Sequence, residues 1–288
     1  MILREADSLT SLFTLRSPLF SEDNYGIIEE NENGLVYMRS DLIGARHAFT
    51  TRFGGVSAGD FATLNLGSNR GDDPEAVREN YRRVCALLGV GIDEAAVTNQ
   101  VHKNAVRIMS AADRHVCMSK VPYEADGIMT AEKGLPIFCF TADCVPALLF
   151  DGEHGVIGAI HCGWRSSVGD ILSKALEAMQ SLGAEPASIR AAFGPAIGPC
   201  CFETDNDVPE AVSAWLGGDD KGLFRRRADG KTLVDLRAAN FRRLLQLGVP
   251  RENIDVSAEC TYCLHDKYWS HRYTRGRRGS QAAGIVLD

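Results

Sequence analysis

A chain of 288 residues that is 45% hydrophobic can bury a core without a structural metal or a disulfide framework. Its formal net charge of −7 argues against a nucleic-acid partner, because that footprint carries a basic surplus; RRR at 225–227 and RGRR at 275–278 read as solvated surface or a phosphate contact. No segment approaches the ~18 continuous apolar residues of a bilayer span, no apolar leader reads as a signal peptide, and nine cysteines, an odd number without a regular framework, suit reduced thiols, so a cytoplasmic enzyme with no membrane partner is expected.

Residues 1–33 are polar and irregular and read as part of a peripheral extension over 1–35, with NENG (31–34) a turn before the strand GLVYMRS. DDPEAVRENYRRVCALLGV reads as a helix. Asp72 or Asp73 caps it, Pro74 opens the first turn, Val77, Tyr81, Val84 and Leu88 recur at helical spacing, and Gly89 ends it. The short apolar runs NAVRIM, ADGIMT, PIFCF and GVIGAIH read as strands on length and β-branched content. A second helix is expected over about 167–182, with Ile171, Leu172, Ala175, Met179 and Leu182 inward and Gly183 as its stop.

SIRAAF follows as a strand, a third helix runs from Asp235 to Gly248, and IDVSA and AAGIVLD close the chain as strands. There is no strict βαβ rhythm and no G-x-G-x-x-G turn, which disfavours a Rossmann domain. No internal repeat or low-complexity linker divides the chain. The expected fold is α/β: a single domain over 36–288, with mixed β-sheets in a layered sandwich and outer helices.

Three segments carry chemistry. NQVH ends in His102, TADCVP holds Cys144 two residues before Pro146, and His161 closes the apolar run of AIHCGWR, each at the end of an expected strand. Two imidazoles and a thiolate match the donor preference of zinc, and three protein ligands leave a tetrahedral ion one open position. The wide sequence separation argues against a structural knuckle, which draws on close pairs such as C-x₂₋₄-C.

HAFTTRFGGVS, NLGSNRGDD, NQVH, TADCVP, HCGWR, GPAIGPCCFE and CTYCLHDKYWSHRYTRG, in this order, resemble the laccase-domain purine nucleoside phosphorylase family. That family also bears the older label of multicopper polyphenol oxidase and includes the cytoplasmic peptidoglycan-editing factor. The resemblance implies zinc held by His102, Cys144 and His161. It also implies phosphorolysis of adenosine, inosine, guanosine and methylthioadenosine, with hydrolytic deamination of adenosine. A multicopper cluster draws on many imidazoles as well as a soft thiolate. Only His47, His102 and His161 of the seven histidines fall in motifs expected to face the site, so zinc is expected over copper. Two departures stand out: CGWRS where the family usually reads AGWRG, and RRGSQA in place of a TGR-type turn.

Deamination needs a carboxylate to move a proton to the departing ammonia. Asp143 is the first candidate and Glu203 the second, although strand alternation would point Asp143 away if Cys144 faces the metal. A bend before Pro146 would rescue it, and a role as a hydrogen-bond acceptor or backbone cap stays open. Phosphate requires arginine forks. Arg52, beside Gly54 and Gly55, is the expected contact, with Ser57 and Asn65 as further donors and Arg165 counted with the catalytic set. His47 either orients substrate or starts a strand. Trp164 packs under a purine or fills the core, and Arg272 reaches the site or a dimer contact.

Cys200–Cys201 and the C-x-x-C at 260–263 admit a redox or second-metal reading, but buried reduced thiols are expected. The partners expected are a purine nucleoside and phosphate, on a monomer or homodimer. Two other readings stand beside the phosphorylase. In one, Cys144 is a nucleophile activated by His161, in a cysteine or zinc hydrolase that edits peptidoglycan precursors. In the other, the chain is a non-catalytic purine-binding protein.

Overall fold

The computed structural model describes Phe20, residues 24–115, Met118 and residues 121–288; the rest of the expected extension lies outside the described residues. Five strands form an antiparallel sheet: β1 (Ile27–Glu32), β2 (Leu35–Ser40), β3 (Arg46–Thr50), β6 (Ile137–Thr141) and β14 (Gln281–Val286), in the order β1-β2-β3-β14-β6. The chain is therefore not irregular up to residue 33. Ile27–Glu32 pairs with Leu35–Ser40 across the Asn33–Gly34 turn, where both residues take positive φ, so the expected boundary after residue 35 cuts through a hairpin. Its alternation is weak because an edge strand with one wet face tolerates polar side chains on both sides.

The second sheet is mixed and has six strands. They are β4 (Val106–Ile108), β5 (Gly127–Thr130), β7 (Val145–Asp151), β8 (Val156–Cys162), β9 (Arg190–Phe193) and β13 (Ile254–Val256), in the order β13-β9-β7-β8-β5-β4. Its outer pairs, β13–β9 and β4–β5, are parallel and the rest antiparallel. A small antiparallel sheet, β10 (Glu203–Thr204), β12 (Thr232–Val234) and β11 (Phe224–Arg226), stands apart.

Side-chain alternation shows the layering. On β8, Ile157 and Ala159 join Leu148, Ile137, Cys139 and Ile285 between the two large sheets. Val156, Ile160 and Cys162 face the opposite way, onto helices α3 (Ile171–Ser181) and α5 (Leu236–Gln246). Burial on both faces explains why GVIGAIH reads as a continuous apolar run rather than an alternating one. The outer face of the five-stranded sheet, through Phe138, Ala282 and Val286, packs on Val77, Tyr81 and Val84 of helix α1 (Pro74–Leu87). The fold is thus α/β, with two sheets face to face and helices outside.

Asp73 caps α1 by accepting from Glu75 N, while Asp72 turns to Ser57 and Asn65. The expected helix over 167–182 is two helices, α2 (Trp164–Val168) and α3. The break is Gly169 followed by Asp170 at φ 63, whose carboxylate accepts from Trp215 Nε1 and Arg243. Helix α4 (Asp207–Trp215) has no counterpart among the expected elements, although Pro209 and the acidic Asp207 and Glu210 in its first turn are helix-start signals. Among the described residues no helix is long and apolar enough to cross a membrane.

Candidate metal centre and its cavity

The three soft donors come from three different local structures. His161 lies on β8, opposite Pro146 of β7. Cys144 sits in the connection between β6 and β7. His102 is in a turn at φ 59, ahead of β4 rather than at a strand end. Their ligand atoms lie within 4.8 Å of one another. The two imidazoles meet edge to face at 90°, with ring centroids 4.7 Å apart.

Gly163 underlies all three. A Cβ there would stand 3.3 Å from His102 Cδ2, 3.4 Å from Cys144 Sγ and 3.5 Å from His161 Cε1. Two nitrogens and a sulfur fit one tetrahedral or trigonal soft ion.

Asp126, immediately before β5, organises the cluster and is not evident in the sequence, where ADGIMT reads simply as a strand. Its carboxylate accepts from the backbone N–H groups of Val101, His102 and Lys103, which holds the strained His102 turn. It also accepts from His161 Nδ1 at 2.7 Å. A carboxylate can only accept, so Nδ1 carries the proton and Nε2 is left as the donor atom. Burial by itself would raise the Asp126 pKa, but these hydrogen bonds hold it below the ordinary value. Burial likewise opposes ionisation of Cys144, yet the His161 charge and hydrogen bonds from both imidazoles bring its thiol down to about 6. For His161, burial is outweighed by Cys144 and Asp126, which raise it to about 9.

The cluster opens into a cavity of about 740 Å³. Tyr81, Phe140, Trp164 and Phe202 give its lining aromatic surface. Arg70, His271 and Arg278 also line it, and burial together with the mutual proximity of these groups lowers the pKa of both His271 and Arg278, the latter to about 10. Among the described residues neither arginine ion-pairs with a carboxylate. Arg278 Nε and Thr141 Oγ1 are buried without a hydrogen-bond partner in the protein, and both residues line the cavity.

The other residues expected at the site divide sharply. Asp143 lines the cavity beside Cys144 because its φ of 86 breaks strand alternation at that point. It accepts from Thr261 Oγ1 at 2.7 Å and from Arg272 N at 2.6 Å. Trp164 also lines the cavity, whereas Arg165 is exposed and lies over the Trp164 ring, its Cζ 4.2 Å from the centroid.

Glu203 does not line the cavity; its carboxylate pairs with Arg227 at 3.1 Å. Arg52 is not there either. Its Nε and Nη2 donate to Ala62 O and its Nη1 to His265 O, and it stacks on Trp269, so its donors are spent on backbone. His47 is buried with both nitrogens bound locally, Nδ1 to Ala45 O and Nε2 to Ser40 N. Ser57 and Asn65 both donate to Asp72 and so shape the loop that carries Arg70 rather than reaching the cavity. Arg70, Arg278, His271 and Asp126 are the site residues not singled out from the sequence, although NLGSNRGDD, RGRR and CTYCLHDKYWSHRYTRG contain the first three. Cys200, Cys201, Cys260 and Cys263 gather in a second cluster, also within 4.8 Å.

A family model described as multi-copper polyphenol oxidoreductase laccase matches residues 46–288. The chain belongs to this family. A purine nucleoside phosphorylase from Deinococcus radiodurans is 40% identical over 256 residues, covering 88% of this chain and 94% of that protein. Purine nucleoside phosphorylase YlmD from Geobacillus stearothermophilus is 35% identical over 247 residues, covering 84% and 90%. The crystal structure of YlmD superimposes with a TM-score of 0.84 at 33% identity, covering 91% of this chain and 99% of that one. The crystal structure of Bacillus licheniformis hypothetical protein YfiH gives 0.83 at 26% identity, covering 90% and 99%.

Proposed function

We propose that this chain is a zinc-dependent purine nucleoside phosphorylase, acting on adenosine, inosine, guanosine and methylthioadenosine, with adenosine deaminase activity. The observation that carries the reading is the meeting of a two-imidazole, one-thiolate donor set with unpaired arginines across one cavity. The names of the relatives support the reaction class. The donor set fits zinc, held by His102, Cys144 and His161. When bound there, zinc supplies a Lewis acid able to bring the pKa of a coordinated water to about 7.

The chain's own groups then divide the work. Arg70 and Arg278 grip the phosphate, and the unpartnered Arg278 Nε supplies a donor that water would otherwise have to satisfy. In phosphorolysis a phosphate oxygen bonds to C1′ of the ribose as the C1′–N9 bond breaks, and the base leaves with that electron pair. Tyr81, Phe140 and Trp164 offer aromatic surface to the purine. In deamination Asp143 accepts the proton of the attacking water and returns it to the departing ammonia, its carboxylate aimed by Thr261 and the Arg272 backbone. Arg52, His47, Ser57 and Asn65 shape the frame, while Glu203 and Arg165 take no part in the cavity.

Incubating pure protein with adenosine, with and without phosphate, tests this. Adenine and ribose 1-phosphate are expected only when phosphate is present, and inosine in either case. No turnover by zinc-replete protein contradicts the reading.

One observation favours a second reading, a thiol hydrolase. Cys144, His161 and Asp126 stand in the order of nucleophile, base and orienting carboxylate. The presence of His102 at the same sulfur weighs against it, since a nucleophile needs no third donor. Stoichiometric zinc lost on Cys144→Ser supports a ligand; metal-free protein alkylated at Cys144 with loss of activity supports the nucleophile. A purine binder without catalysis would bind adenosine and form no product.

A further inference from the structure

The geometry points to a second, structural zinc site at Cys200, Cys201, Cys260 and Cys263, independent of the metal centre in the cavity. The four sulfurs lie within 4.8 Å of one another. Cys263 Sγ stands 3.6 Å from Cys200 Sγ and 3.4 Å from Cys201 Sγ. A disulfide would need about 2.05 Å, whereas four sulfurs placed about 2.3 Å from one zinc ion stand roughly 3.8 Å apart. Separations of 3.4 and 3.6 Å, within 4.8 Å for the whole set, exclude a bond between these sulfurs and fit four sulfurs around one ion. Four thiolates without an imidazole or carboxylate select zinc among the common divalent ions, and a complete Cys₄ set leaves no open position for chemistry.

Two further features fit a charged cluster. Gly198 N donates to Cys260 Sγ at 3.1 Å, the kind of backbone support that a coordinating thiolate accepts. Arg237 is buried at 4% exposure, donates to the carbonyls of Ser257 and Glu259, and ion-pairs with no carboxylate among the described residues. A Cβ built on Gly198 would lie 3.2 Å from each of Arg237 Nη2, Cys200 Sγ and Cys260 Cβ, so the guanidinium sits against the cluster. A buried arginine without a counter-ion is costly. On binding Zn²⁺ the four thiols release their protons to solvent, leaving a net charge of −2 that this guanidinium faces.

The site lies behind the cavity. It joins GPCCFE, which contributes Phe202 to the cavity wall, to CTYC, where Thr261 sits between two of the sulfurs' residues and donates to Asp143. Thr261 N also bonds Ala196 O at 3.1 Å. Zinc there fixes the carboxylate next to Cys144 without touching substrate.

The test uses the full chain carrying His102→Ala and Cys144→Ser, which removes two donors of the first centre, with the fold checked by circular dichroism. Zinc is added, excess is dialysed away, and bound metal and free thiols are counted. One retained equivalent per chain, with the four cysteines protected from a thiol reagent, is the expected result. Cobalt(II) in its place should show the intense thiolate charge-transfer and tetrahedral bands of an all-sulfur site. Adding Cys260→Ser and Cys263→Ser should abolish that equivalent. A folded, fully reduced double variant that binds no metal, or whose four thiols react freely with zinc present, overturns the proposal. If the double variant does not fold, X-ray absorption on wild-type protein decides. Two zinc ions per chain, with a mean sulfur count above the single thiolate the first centre can supply, support the site. One zinc with one sulfur overturns it.

Discussion

Nδ1 of His161 lies 2.7 Å from Oδ1 of Asp126, and the same carboxylate receives the backbone N–H groups of His102 and of the residues on either side of it. One buried acid therefore sets the tautomer of one imidazole and the position of the other. Asp126→Asn should weaken zinc binding about 10- to 100-fold, since the amide cannot accept from all four donors. Chelator competition measures this. Unchanged affinity would mean that the His102 turn holds itself.

The acid–base pairing of Cys144 predicts a pH dependence in metal-stripped protein. With its thiol brought down to about 6, Cys144 is mostly thiolate at pH 7 and gains its proton as pH falls through that value. Its alkylation rate should thus be high at pH 7 and fall about tenfold per unit well below pH 6. Zinc loading should suppress the reaction. A rate that rises only above pH 8 would show an unperturbed thiol.

Arg278→Ala and Arg70→Ala should each raise the phosphate KM about tenfold or more while leaving deamination of adenosine less affected, because only phosphorolysis needs the anion. Steady-state kinetics with varied phosphate reads this directly. Equal losses in both reactions would place the arginines elsewhere in the chemistry.

Arg52→Ala should behave differently. Losing its hydrogen bonds to Ala62 and His265, and its stacking on Trp269, should cost about 2 kcal/mol of stability. Denaturant unfolding measures that cost, and the phosphate KM of the folded protein should not change. An intact stability with a raised KM would restore Arg52 to the anion site.

Gly163→Val tests the space at the centre of the donor set. Its Cβ would stand 3.3 to 3.5 Å from His102, Cys144 and His161, and its two methyl groups would add bulk beside all three donors. Zinc uptake at this centre should be lost while circular dichroism stays native.

Much of this is legible in the sequence where chemistry and pattern agree. The N- and S-donor residues stand in short motifs, and the strands of the central sheets read as apolar runs because both their faces are buried. Asp126 is hidden because a residue just before a strand looks like a turn former, and only the fold brings it to His161, 35 positions away. Arg52 looks like the phosphate contact because glycines follow it. In the structure Gly54 and Gly55 serve close approach to Leu35 and Leu64 instead. Arg70 and Arg278 meet only through tertiary packing, and the spacing of two vicinal cysteines and a distant C-x-x-C does not announce a four-sulfur cluster.

Zinc content and adenosine phosphorolysis, measured together on wild-type protein and on Cys144→Ser, address the centre most directly. The variant should hold one zinc fewer per chain and lose phosphate-dependent adenine release about a hundredfold or more, with its fold intact. A Cys144→Ser protein that keeps both the metal and the activity of wild type would contradict the account.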